Sequence, residues 1–580
     1  MFVPKFVPAN ARVVVKDTPR DDHGACARSA AVVTRRAAMA PRAPVARFGC
    51  VLPGHVVVAF LRASQENSAG AVFALRAKTT TSSEPPTRPP HIRRRAHENA
   101  MAWGTTVGVA SWVNRLVSND PGLISVTVFR GRLFGADEAA AVFEALRTNT
   151  HLVELYASGH FMDAVTAGLL AEALAVNTTL QSLCVGDECF GDAGVAALAP
   201  GIANSASLKE IDLTNKGIGD AGAAALGHAL ATPGGCPSLT TIALSRNETL
   251  GQEGLAAVCH GLENVALLEK LELRELNAGG VAADAIASLL AHSPALAELD
   301  LANAALDVAS GDVAKLRLGL ETRAKRQNAP PLSLEMDGVA LGDAGAAALA
   351  GDGDTTFLKV NRLSLRGCLL GAEGGAAVAR ACAAVTEVLI MRDNSLGDDG
   401  ARAVAAALST TRTSAKESAL RTLDLGCCGI GADGAAALAG SPGLGCLTDL
   451  CLFGNEAVGA VGLAAFANQG TGSGLSELTS LDVGGCGVDE AGLIVFCDAL
   501  VSDQTVLRNL MTLVVGGNPG AQGDAWETAL QRLRDARPTL DVAWRAADAG
   551  ESPETRENAT AMLARANESR PETGDAHDSH

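Results

Sequence analysis

Few residue patterns in this chain could carry chemistry. Gly217-Ile218-Gly219-Asp220-Ala221-Gly222 and the run Gly429–Gly434 both match G-x-G-x-x-G. In a dinucleotide-binding unit such a run follows a strand, opens a helix and lays a pyrophosphate on the helix N-terminus. Here both runs sit at the same phase of a repeating pattern as copies that lack the match, such as Leu341-Gly342-Asp343-Ala344-Gly345. The strand after the first run ends in Ser245, not in an acid for a ribose hydroxyl. The glycines therefore read as turn residues. A phosphate loop needs Gly-Lys, and no Lys follows a Gly. G-x-S-x-G and H-E-x-x-H are absent, and no two of the 11 His stand at i, i+4. The 14 Cys include no C-x-x-C, and Cys446 and Cys451 have no His or further Cys pair nearby to complete a zinc site. The sequence predicts no catalytic residue, no metal ligand set and no cofactor.

What remains is a set of side chains positioned by repetition. Leu208–Leu226 read LKEIDLTNKGIGDAGAAAL, and Leu420–Leu438 read LRTLDLGCCGIGADGAAAL. The shared frame is L-x-x-L-x-L-x-x-N/C-x-L, then a Gly-rich turn, then an Ala/Leu helix. Its fourth position is held by Leu155, Leu183, Ile211, Ile242, Leu271, Leu299, Leu334, Leu363, Leu389, Leu423, Leu450, Leu481 and Leu513, about 30 residues apart on average. A degenerate copy at Ile124–Leu146 precedes these thirteen. The L-x-L alternation puts two apolar side chains on one face of a short strand, and the following segment is apolar at helical spacing. One such unit cannot bury both its strand face and its helix face; stacked neighbours can. Strand then helix with a right-handed crossover gives a parallel sheet inside and helices outside.

The ninth position of the last six copies alternates: Cys368, Asn394, Cys428, Asn455, Cys486, Asn518. A buried Asn there can bond loop backbone groups that would otherwise go unpaired, and Cys fills the slot as a small hydrophobe with a weak donor. Earlier copies lack this ladder, which predicts a less regular N-terminal half.

Third and fifth positions face away from the strand's apolar side. They hold ten acids, Glu154, Glu210, Asp212, Glu272, Glu298, Asp300, Glu335, Asp424, Asp449 and Asp482, against two bases, Lys270 and Arg362. Like charges across neighbouring strands repel. The excess is either a solvated face or a steering surface for a basic partner. Tyr156 and Phe453 are the aromatics on or beside this face and the candidate anchors. Arg246, Arg274, Arg366 and Arg392 line its rim and could instead take an acidic patch on a partner.

Composition agrees with thin layers. Aromatics are 3% of the 580 residues while apolar types are 48%. Cores stop growing at roughly 250–300 residues, so this length requires domains or repeats. The charge is asymmetric. Residues 1–100 carry 16 Lys+Arg against 6 Asp+Glu, and residues 101–580 carry 31 against 58. The acidic body disfavours nucleic acid, and no uninterrupted apolar stretch reaches the ~18 residues of a membrane span.

The frame, its length and the Cys/Asn alternation resemble leucine-rich repeats of the ribonuclease-inhibitor type, over roughly Gly122–Trp544. The resemblance implies an α/β solenoid, a horseshoe with parallel strands on the concave face and helices on the convex face. It implies protein–protein binding through that face, with similar repeats in nucleotide-binding immune receptors and in Ran GTPase-activating proteins. The lack of a phosphate loop sets the chain apart from the former. Regulation of a small GTPase is the alternative reading.

The expected organisation is a basic, poorly ordered segment over 1–100, a cap over 101–121, the array with its C-terminal cap over 122–545, and an acidic tail over 546–580. The first segment reads as a transit peptide or as residues preceding a functional start at Met101. Trp526 and Trp544 fall where the last layer must be covered. The unpaired thiols imply a reducing compartment, the cytoplasm first, with nucleus or organelle as alternatives.

Overall fold

The computed structural model describes residues 106–544, apart from 352–358, 384, 411–418 and 469–474, together with five short strands in the first hundred residues. The chain divides into two units, Met1–Asn99 and Ala100–His580. In the first, Val13–Val14, Val32–Arg35 and Ala71–Ala74 form a three-stranded antiparallel sheet, and Arg47–Leu52 pairs with His55–Phe60. The sequence predicts no strand there. Local valine runs such as Val56–Val58 favour extended pairing even where no longer period exists. The remainder of the basic segment over 1–100 and the tail from 545 lie outside the described residues.

The second unit opens with the helix Thr106–Val117 in the predicted cap. A single 15-stranded sheet follows, from Ser125–Thr127 to Asp541–Ala543, in which chain order is also spatial order. All neighbours in it are parallel, and helices alternate with strands throughout. The degenerate copy is a genuine unit: Val126 pairs in register with Leu155. A fifteenth strand, Asp541–Ala543, lies within the predicted C-terminal cap.

The register is set by apolar residues. Each fourth-position residue pairs with its counterpart in the next unit, as Ile211 with Ile242 and Leu423 with Leu450. Leu213, Leu244, Leu273 and Leu301 at the sixth position are equally buried. Each buried Leu contributes about 1.5–3 kcal/mol, so a unit with several is held by its neighbours. The predicted irregularity of the N-terminal half is not seen in the pairing, which runs unbroken from the first strand.

Helices pack closely enough to need glycine. A Cβ on Gly227 would stand 2.3 Å from the Ala257 carbonyl oxygen, and one on Gly261 would stand 2.3 Å from that of Gly227. This close approach, not a large aromatic core, is what the Ala/Gly-rich composition builds. At the C-terminal end Trp526 is fully buried, and Trp544 packs against the core. Arg537 donates to the carbonyls of Leu500, Asp503, Val506 and Leu507, closing the end of the preceding helix.

The G-x-G-x-x-G runs find their purpose here. Gly217 and Gly429 have φ of 66° and 67°, a left-handed turn that glycine adopts without strain. Gly219 and Gly222 then donate their N–H groups, at 2.7 and 2.9 Å, to Asp192 of the preceding unit. Asp220 does the same for Gly251 and Gly254, Asp343 for Gly371 and Gly374, and Asp398 for Gly431 and Gly434. The helix N-cap is a glycine with no side chain, so the carboxylate of the previous unit caps the helix instead. The loop thus binds a neighbour's acid where a nucleotide site would bind phosphate.

Candidate protein-binding face

Beneath the strand face runs a hydrogen-bonded spine. Asn455 is buried; its Nδ2 donates to the Leu425 and Leu452 carbonyls at 2.9 and 2.8 Å, and its Oδ1 accepts from Cys428 and Ile430 at 2.9 and 3.0 Å. Asn394 and Asn518 likewise donate to at least two carbonyls each and accept from the amides of Leu370 and Val488. Cys368, Cys428 and Cys486 donate from sulfur to the carbonyls of Met336, Met391 and Leu452. Burial pushes each of these thiols up to about 12. Earlier copies also contribute, among them His160, whose Nε2 lies 3.2 Å from the Val128 carbonyl. Asn247 bonds like Asn455. Lys216, 2% exposed, sends its Nζ to Ser158 Oγ at 2.7 Å and to the Gly186 carbonyl at 2.9 Å, replacing the missing amide by reach.

A second set of spine residues escaped the repeat frame. Asn149 and Asn177 sit between a helix end and the next strand. They donate to the Leu116 and Leu146 carbonyls and accept from the Leu152 and Leu180 amides. The recurring Asn about 28 residues apart was the available signal.

The predicted acidic face separates into two kinds of side chain. The third-position acids Glu210 and Glu298 are exposed, and Glu154 and Asp449 are half-buried. Fifth-position acids are enclosed more deeply: Asp300, Asp424 and Asp482 are only 7%, 5% and 2% exposed. The expectation that these three are outward-facing steering charges is corrected. Each turns its Oδ1 onto the backbone N–H two residues on, Ala302, Gly426 and Gly484, closing its own strand-to-loop turn. Asp212 does this for Thr214 while remaining partly exposed. Burial raises the pKa of Asp424 against the stabilising Gly426 bond.

Bases occupy the middle of the face. Lys270 reaches Glu272 at 3.1 Å and Glu298 at 3.2 Å. Arg274 binds Asp300 and, at 3.1 Å, Glu335, which Arg362 also approaches. Burial, then the Asp300 charge, raises the Glu335 pKa. The rim arginines are likewise committed: Arg246 to Glu275, Arg366 to Asp393, and Arg392 to Asp424. Arg392 also lies 4.8 Å over the Phe453 ring. Phe453 is half-buried at this C-terminal site, and Tyr156 is half-buried at the N-terminal end beside Ser182. The two aromatics do not share one patch. Glu154, Glu210 and Asp212 have no ion pair among the described residues; Glu210 accepts from Ser182 Oγ and Asp212 from Cys184.

A family model described as "Leucine Rich repeat" matches residues 204–227, 235–259 and 418–439. The chain carries leucine-rich repeats. Their strands, turns and helices form one open α/β solenoid. No curated protein sequence matches the chain. Among solved structures it is similar to one described as the Rad7 and Elc1 complex in yeast, at 13% identity and TM-score 0.39, covering 80% of this chain and 100% of that one. It is also similar to one of a TLR13-ssRNA13 complex, at 14% identity and TM-score 0.34, covering 75% and 52%. A Caenorhabditis elegans tropomodulin C-terminal domain covers 27% of this chain and 92% of its own, at 19% identity and TM-score 0.24.

Proposed function

We propose that the repeats, of the ribonuclease-inhibitor type, form a non-catalytic scaffold that binds a basic protein partner through the strand face. One observation carries this reading: Glu154 stands two strands from Glu210 and Asp212, and among the described residues no basic side chain pairs with any of the three. These uncompensated acids give this end of the face a negative potential that a cationic partner complements. Tyr156, on the strand that carries Glu154, supplies an anchor. The spine thiols act as S–H donors, which supports a reducing compartment such as the cytoplasm. Among the described residues no helix is long and apolar enough to cross a membrane.

The test uses the whole chain, immobilised, with captured partners measured individually by binding kinetics at two salt concentrations. The triple change Glu154→Gln, Glu210→Gln, Asp212→Asn should slow association and flatten its salt dependence. Unchanged rates and slope refute the basic-partner reading. If a captured partner is a small GTPase whose GTP hydrolysis the chain accelerates, the regulator reading replaces the plain scaffold.

A further inference from the structure

Phe129, Leu133, Phe161 and Val165 are 68%, 49%, 61% and 75% exposed. All belong to the first two repeats. The Phe134 and His160 rings meet edge to face with centroids 5.5 Å apart, so the loops that carry Leu133 and Phe161 are adjacent at one rim. Val165 follows at the start of the helix Ala164–Leu174, with Leu169 one turn on and also exposed. The fold does not ask for these side chains. Phe161 precedes the buried Met162; in later units the residue before the equivalent buried position is most often small or polar, as Gly217, Asn277, Ala340, Ser395, Gly429 and Gly487, with Leu369 the apolar exception. Exposed apolar groups gathered in this way mark interaction sites.

The rim adjoins the uncommitted acids. Val128 donates its N–H to the Tyr156 carbonyl, so Phe129 continues directly from the strand edge that Tyr156 occupies. Glu154, Glu210 and Asp212 lie on that strand and the one two places further on. Of the nearby bases, Arg130 approaches Glu188, Arg132 lies 4.9 Å over the Trp112 ring and the Lys216 ammonium is buried, while Lys209, beside Glu210 in the chain, is exposed.

We propose that this rim and the acidic strands beside it form one docking surface for a partner-protein segment that carries bulky apolar side chains flanked by Lys or Arg. The proposal rests on the scaffold reading above and locates it. Charge complementarity selects the occupant. A second copy docked across a two-fold axis would set the same acids against one another. An anionic membrane would meet them too.

The test uses the full chain and a fluorescein-labelled synthetic peptide containing two Phe and four Arg, read by anisotropy at about 50 and 300 mM salt. The surface predicts saturable binding. Phe129→Ser with Phe161→Ser should weaken it by about tenfold or more, as should Glu154→Gln with Glu210→Gln and Asp212→Asn, the latter with a flatter salt dependence. Circular dichroism of both variants should match the parent, since the altered side chains are exposed or make few contacts. Equal binding of a peptide with Phe replaced by Gly sinks the proposal, as does an undiminished signal in either variant. Self-association that the Phe variant abolishes, or binding to phosphatidylserine vesicles, also overturns it. A third variant, Asp449→Asn with Phe453→Ala, separates the levels. Loss of binding there alone keeps the strand-face scaffold and refutes this location. Loss in none of the three refutes both.

Discussion

Replacing Asp220 by alanine removes a cap that one repeat places on the next. Its Oδ1 accepts from Gly251 at 2.7 Å and Gly254 at 3.0 Å, the first amides of the helix Gln252–Leu262. No side chain of that helix's own N-cap, Gly251, can compensate. A hydrogen bond to a charged acceptor contributes roughly 1.5–3 kcal/mol when shielded, and an anion near a helix N-terminus about 0.3–1 kcal/mol. Asp220 is exposed, which screens both. N-cap deletions of this kind cost about 0.5–2 kcal/mol. The expected loss is therefore about 1–2 kcal/mol for Asp220→Ala and about half that for Asp220→Asn, which keeps an acceptor but not the charge. Asp399→Ala is the internal control: it lies in the first turn of its helix but pairs only with exposed Arg402, so it should cost under about 0.5 kcal/mol. Because the bond crosses between units, its loss weakens an interface term, not one isolated helix. Native-state hydrogen exchange should show faster opening of the helices Asp220–Leu230 and Gln252–Leu262 while distant units change little. Equal effects of Asp220→Ala and Asp399→Ala, or no exchange difference between near and far helices, would refute the trans-capping account.

Three further outcomes are expected. Asn455→Leu strands the amides of Cys428 and Ile430 and the carbonyls of Leu425 and Leu452, costing about 3 kcal/mol, whereas Cys428→Ala removes packing and one weak bond for about 1–2 kcal/mol; urea melts giving the reverse order contradict the spine. With the spine thiols pushed up to about 12, a disulfide reagent at pH 8 should label exposed Cys189 well before Cys368, Cys428 and Cys486, which it should reach only on unfolding, as peptide mapping will reveal. Burial raises the Asp424 carboxyl pKa in the fold, so acidification from neutral pH through that raised value toward the ordinary 3.8 should favour its folded environment, and Asp424→Asn should be neutral or stabilising by under about 1 kcal/mol at pH 7. Clear destabilisation at pH 7 would mean the Arg392 pairing outweighs the burial cost.

The alternation of Leu in LDL-type strands and the ~30-residue period made the α/β solenoid legible, because each unit's apolar faces demand identical neighbours. The Asn slot was legible for a related reason: a buried loop backbone needs a side chain with two donors and an acceptor. Other features were harder to read. Gly-Asp-x-Gly recurs at Asp192, Asp220, Asp343 and Asp398, yet its meaning depends on the following unit's glycines lying within bonding distance. Lys216 looked like a departure from the frame, and only its reach to Ser158 and Gly186 makes it part of the spine.

The strand face marks the division most sharply. By itself the sequence determined which residues face away from the core, since the two-residue period of a strand is a property of local backbone geometry. It did not determine which of those residues meet water. Asp212 and Asp300 occupy the same position in the frame, yet one keeps a partly exposed carboxylate without an ion pair and the other is enclosed beside Arg274. That difference comes from bases on adjacent strands, about 30 residues away in sequence but one strand spacing away in the sheet. Charge compensation across strands is a tertiary property, so the free acids and the apolar rim beside them emerged only when the repeats were stacked.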